Sequence, residues 1–184
     1  MIRNLRLDEE IFKKMISQKF IKYKCDPFVF TNTVTGIAGL YIGEKVFELK
    51  NEQTAFQYFD SMDDVALWNI KEVNDLEIHS VFEKTAQIDT SINQNINSIT
   101  LVNEHQMVNI QDQEYNVWLT RAIVFHLENC DIYFEKDNTA FSEGIEIKRG
   151  HDLLPEFPKR NDYFLDQWIE GIKSDVQTEF IEIQ

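Results

Sequence analysis

A chain of 184 residues with 43% hydrophobic content, fourteen Phe and only three Pro is long enough and apolar enough to bury a core without cross-links, which excludes a disordered chain. Its formal net charge of −14 repels phosphate backbones and anionic lipid, so direct binding to nucleic acid is disfavoured. The two cysteines, Cys25 and Cys130, stand far apart and in no CxxC pair; they argue against a disulfide framework or a zinc ribbon and suit a reducing, cytoplasmic setting.

The first segment, LDEEIFKKMISQKFIKYK, begins with acids, ends with lysines and spaces Phe12, Met15, Ile16, Phe20 and Tyr23 at helical intervals. This predicts an amphipathic helix over about 8–23, packed on the core. No apolar run long enough for a signal peptide or a membrane span is evident. After Pro27 the texture turns to β. FVFTNTV over 28–34 and IAGLYIGEKVFELK over 37–50 predict strands, the latter folded at Gly43-Glu44. The glycines at 36, 39 and 43 do not match a dinucleotide-binding GxGxxG. NEQTAFQYF over 51–59 reads as a short helix capped by Asn51, and VALWNIKEV over 65–73 and LEIHSVF over 76–82 read as strands.

Residues 87–116 contain eleven Asn and Gln, a compositional bias. The clearest element follows: YNVWLTRAIVFHLENCDIYFEK over 115–136 predicts a central hairpin covered on both sides. Val117, Leu119, Ile123, Phe125 and Leu127 are expected on one face, and Trp118, Ala122 and Val124 on the other. GIEIKR over 144–149 reads as a strand, DYFLDQWIEGI over 162–172 as a helix, and VQTEFIEI over 176–183 as a last strand. The expected fold class is therefore α+β, a mostly antiparallel sheet with an N-terminal amphipathic helix and a short C-terminal helix. One domain is expected over 1–184, with a β-rich body over 27–149 and the C-terminal helix and strand within 162–183.

Two local clusters invite chemistry. EIKRGHDLLPEFP brings Arg149, Gly150, His151 and Asp152 together, but neighbours in an extended chain point to opposite sides, so His151 and Asp152 make a poor acid–base dyad. Gly150 is expected to turn the chain, Asp152 to cap the turn, and LLPEFP to pack on the core. The second cluster, FDSMDDVALW, gathers Asp60, Asp63 and Asp64 before a strand. Carboxylates so placed suit either a basic partner or a hard cation such as Mg²⁺.

His79, His105, His126 and His151 share no metal-binding spacing, and His126 reads as a half-buried, hydrogen-bonded residue. Trp68, Trp118 and Trp168 read as core. No motif assigns a catalytic residue, a metal site or a cofactor. Residues 1–24 carry seven Lys/Arg against three acids, so the remaining 160 hold eleven against twenty-nine, a net of −18. The leading expectation is a small acidic binding protein that inhibits or neutralises a basic protein partner, such as a nuclease, with Asp60, Asp63 and Asp64 at the contact. The alternatives are a metal-dependent hydrolase using those three aspartates, and a structural subunit that self-associates through an edge strand.

Overall fold

The computed structural model describes residues 2–29, 32–137, 140–158, 162–166, 168 and 170–184. In chain order its strands are β1 (Ile2–Leu5), β2 (Lys19–Cys25), β3 (Thr33–Thr35), β4 (Ile37–Ile42), β5 (Lys45–Tyr58), β6 (Ser61–Val73), β7 (Ile88–Ile110), β8 (Gln113–Leu127), β9 (Asp131–Lys136), β10 (Gly144–Gly150) and β11 (Lys173–Ile183). Among the described residues, two short helices, α1 (Glu9–Lys13) and α2 (Asp162–Leu165), and 3₁₀ turns at Asp75–Glu77 and Leu154–Glu156 complete the regular elements.

Length and alternation make β7 and β8 the spine. They join through Gln111 and Asp112, whose φ angles of 50° and 63° are the paired left-handed values of a type I′ hairpin turn. Ile88–Asn95 of β7 pairs with β2, and Ile99–Asn109 pairs with β11, while β8 runs alongside from Ile96 onward. The main strand order is β3-β10-β9-β8-β7-β2-β4-β5-β6, with β11 added to β7 and β1 added to β8. Among the described residues every pairing is antiparallel except β1 with β8.

The α+β expectation is overturned: the chain is nearly all antiparallel sheet. Asp8 caps α1 by accepting the Glu10 N–H at 3.1 Å, but the helix ends after five residues. Ser17 then takes φ 62° and the chain enters β2. Phe20 and Tyr23 both point inward although they stand three positions apart, because the ladder skips a residue between Phe20 and Lys22. That bulge at Ile21 reproduces a helical spacing in an extended strand, which is why the periodicity misleads.

The other expected helices fail in the same direction. Residues 51–58 continue β5 and pair with β6 without interruption from Val46↔Val73 to Tyr58↔Ser61. The C-terminal helix is reduced to α2; Gln167 and Ile169 lie outside the described residues, and Gly171 turns the chain at φ 93°. The strand expected over 28–34 shrinks to β3, with Phe30 and Thr31 outside the described residues. At 76–82 a 3₁₀ turn replaces a strand, because the Glu77 carboxylate accepts the Asn74 backbone N–H at 2.9 Å and closes a capping box.

Phe125 and Val124 are both fully buried, in different apolar clusters. The largest cluster gathers Phe20, Phe125 and Phe134, with ring centroids 5.1–6.4 Å apart. A second packs Val124 and Tyr133 against Leu153 and Phe157 of the segment after β10. There Gly150 still belongs to the strand, paired with Asp131, and the left-handed residue of the turn is Asp152 at φ 51°. A third cluster joins the tip of the β5–β6 hairpin to Val108, Val117, Val176 and Phe164. Val117 belongs there, and Leu119 packs against it, while Ile123, Phe125 and Leu127 enter the first cluster, so the single face expected for β8 is split. The cause is a bulge: Asn103 pairs with Thr120 and Val102 with Ala122, leaving Arg121 as the extra residue and shifting the alternation by one. No helix among the described residues is long and apolar enough to cross a membrane.

Candidate functional site: an aromatic cleft with an acidic rim

The β5–β6 hairpin closes on Phe59 and Asp60, between the paired residues Tyr58 and Ser61. Phe59 has φ 53°, a region that costs an ordinary side chain roughly 1–2 kcal/mol. Packing holds it there. Its ring is buried, with centroids 4.4 Å from Tyr58, 4.9 Å from Trp168 and 6.0 Å from Phe164. An open cleft of about 350 Å³ lies at this tip, lined by Tyr58, Phe59, Asp60, Ser61, Asp63, Phe141 and Trp168.

Phe141 reaches the cleft from the β9–β10 connection and stands 6.2 Å from Tyr58, edge to face, while 46% exposed. Its backbone is tied down. The Phe141 carbonyl accepts from Gln53 Nε2 at 2.6 Å, the Ser142 carbonyl from Asn51 Nδ2 at 3.0 Å, and the Ala140 carbonyl from the Ala66 N–H at 2.9 Å. An exposed ring on a fixed backbone is pre-organised for contact. Trp168 adds a further element: its indole Nε1 is buried and has no hydrogen-bond partner among the described residues. Such orphan donors are rare in folded proteins.

Of the three aspartates singled out in the sequence, the fold brings two to this place. Asp60 is exposed at the turn, and Asp63 is half-buried and accepts from the Ser61 hydroxyl. Asp64 pairs with Ala55 whereas Asp63 pairs with Phe56, so Asp64 lies on the other face of the strand and does not line the cleft. Among the described residues no group of three or more His, Cys, Asp or Glu is arranged to hold a metal ion.

Beneath the cleft lies a buried polar chain with no counterpart in the sequence reading. The Tyr58 hydroxyl donates to Gln106 Oε1 at 2.9 Å, and Gln106 Nε2 donates to Glu104 Oε2 at 3.1 Å. Glu104 pairs with Arg121 Nη1, and Arg121 Nε donates to Glu135 Oε1 at 3.0 Å. Burial pushes the Tyr58 hydroxyl well above its ordinary pKa, with Glu104 adding to the effect, so it stays a donor. Lys136, also buried beside this chain, is pushed down by burial to about 8. The adjoining cavity of about 40 Å³ is lined by Tyr58, Val65, Glu104, Leu119, Arg121 and Lys136 among others. It has room for about three or four waters at roughly 10–15 Å³ each, far less than a substrate needs. The chain therefore anchors Tyr58 from below. Arg121 sits within an apolar run that gives no sign of an ion pair, and the bulge places it beside Glu104 and Glu135.

The four histidines are dispersed, as their spacing implies. His79 and His151 are exposed, His105 stacks on Trp118 at 4.2 Å, and His126 lies at the far end of β8. Trp68, Trp118 and Trp168 are half-buried instead of full core residues. No protein-family model, curated protein or solved structure matches the chain.

Proposed function

We propose that this chain is an acidic binding protein whose β5–β6 tip receives a cationic side chain from a basic protein partner. The observation that carries the reading is the combination at one cleft of two rim carboxylates, Asp60 and Asp63, with the rings of Tyr58, Phe59, Phe141 and Trp168. Aromatic faces attract a cation by roughly 0.5–2 kcal/mol, and carboxylates at the rim orient it. A fixed aromatic centre with a polar rim is the anatomy of an interface hot spot.

The net −18 of residues 25–184 supplies long-range attraction, which raises association rates with positively charged surfaces. Covering a cationic working surface in this way neutralises it, so inhibition of the partner is the expected effect. A metal-dependent hydrolase has no comparable support, since Asp64 is turned away from Asp60 and Asp63. The test is capture of partners from the native source at about 0.1 M and about 1 M salt, where the Debye length is about 10 Å and about 3 Å. A basic protein retained by the wild type at low salt, released at high salt and not retained by Asp60→Asn/Asp63→Asn supports the reading. Retention that ignores salt and both substitutions contradicts it.

A further inference from the structure

At the opposite end of β8 from the β7–β8 turn, three strands bring a hydroxyl, an imidazole and a carboxylate into line. His126 stands between Ser98 of β7 and Asp131 of β9, its direct partners in the two ladders. Its Nδ1 is 2.9 Å from Asp131 Oδ1, and its Nε2 is 2.8 Å from the hydroxyl of Thr100. A carboxylate can only accept, so Nδ1 carries the proton and Nε2 is free to accept from Thr100. The second oxygen of Asp131 lies 3.5 Å from the Leu153 N–H, which helps hold the carboxylate in place. The order is nucleophile, base and orienting acid, the arrangement by which hydroxyl nucleophiles are activated on unrelated folds. It also opens to a surface. Thr100 and His126 line a cleft of about 410 Å³ together with Ser98, Leu154, Phe180 and Glu182.

We infer that Thr100, His126 and Asp131 form an acyl-transfer relay that hydrolyses short-chain esters, a function separate from the aromatic cleft. Thr100 is only 3% exposed, so small acyl groups such as acetyl are the ones that fit against its hydroxyl. Leu154 and Phe180 provide an apolar wall beside it. In the first step the Thr100 oxygen bonds to the ester carbonyl carbon while its proton passes to His126 Nε2. Collapse of the tetrahedral species breaks the bond to the leaving alcohol, which takes that proton and departs, leaving acyl-Thr100. Water then attacks the acyl carbon with His126 again as base, and the carboxylic acid and free Thr100 are released.

The experiment is hydrolysis of p-nitrophenyl acetate by the full chain, with acid quenching and mass spectrometry of the peptide that contains Thr100. Expected are turnover, an acetyl group on Thr100, and a loss of about 100-fold or more in Thr100→Val and His126→Gln, the scale of a lost general base. Thr100→Ser, which keeps a hydroxyl, retains both activity and adduct. Thr100→Val matches the native shape, and an unchanged circular dichroism spectrum certifies its fold. If Thr100→Val is as active as the wild type, or if acetyl is found only on histidine, the relay is overturned and the hydrolysis is that of a surface imidazole. An inactive wild type overturns it equally, and none of these results bears on the partner-binding reading.

Discussion

Arg121 is the residue on which the buried polar chain depends, because it alone in that chain is a cation between two buried carboxylates. Its replacement by Met removes the cation that pairs with both Glu104 and Glu135, so a loss of about 3–5 kcal/mol is expected from urea unfolding at neutral pH. A loss below about 1 kcal/mol shows that the pair contributes little. Lys136 acts in the reverse sense. Its folded pKa of about 8 lies below its ordinary 10.5, so the unfolded chain binds the proton more tightly. The resulting destabilisation is fully present below about pH 8 and fades as pH rises towards about 10.5. Comparing the wild type with Lys136→Met, the balance of stability should therefore move towards the wild type across that interval, read from paired urea midpoints; a constant difference contradicts the assignment. At this scale Asp60 and Asp63 were legible in the sequence as surface acids near a turn. Strand alternation then places Asp64 on the other face from Asp63, which proximity along the sequence does not reveal.

Of the two-residue hairpins, Gly43-Glu44 between β4 and β5 is legible in the sequence because Gly43 takes φ 58° where the turn requires it, whereas Phe59-Asp60 and Gln111-Asp112 carry no glycine to mark them. Helical spacing was the misleading signal, since a one-residue bulge at Ile21 gives Phe20 and Tyr23 a common face without a helix. Neither bulge, at Ile21 or Arg121, carries a local sequence mark, because each is set by the partner strand. The β5–β6 tip makes a prediction of its own. Phe59→Ala and Phe59→Gly lose the same ring, but only Ala keeps the left-handed penalty at φ 53°. Glycine should thus be the more stable variant by about 1 kcal/mol, reversing its usual disadvantage. If Ala proves the more stable, the tip does not hold its backbone as described.

For the molecule as a whole, charge was readable without a fold, since it depends on composition alone. The cleft was not, because Tyr58, Asp63, Phe141 and Trp168 come from separate segments that meet only when the β5–β6 hairpin reaches the β9–β10 connection and the C-terminal segment. The proposed binding mode joins these two levels: long-range attraction from the acidic body and short-range aromatic contact at one tip. It predicts that acids on the tip are unequal, with Asp60 and Asp63 mattering and Asp64 not. The most direct test is the rate at which the captured partner associates with the wild type, with Asp60→Asn/Asp63→Asn and with Asp64→Asn, measured by stopped flow from about 0.1 M to about 1 M salt. The expected result is a rate that falls steeply with salt, a double variant that associates more slowly and dissociates faster, and an Asp64→Asn variant close to the wild type. Equal rates for all three proteins at every salt concentration would contradict the account.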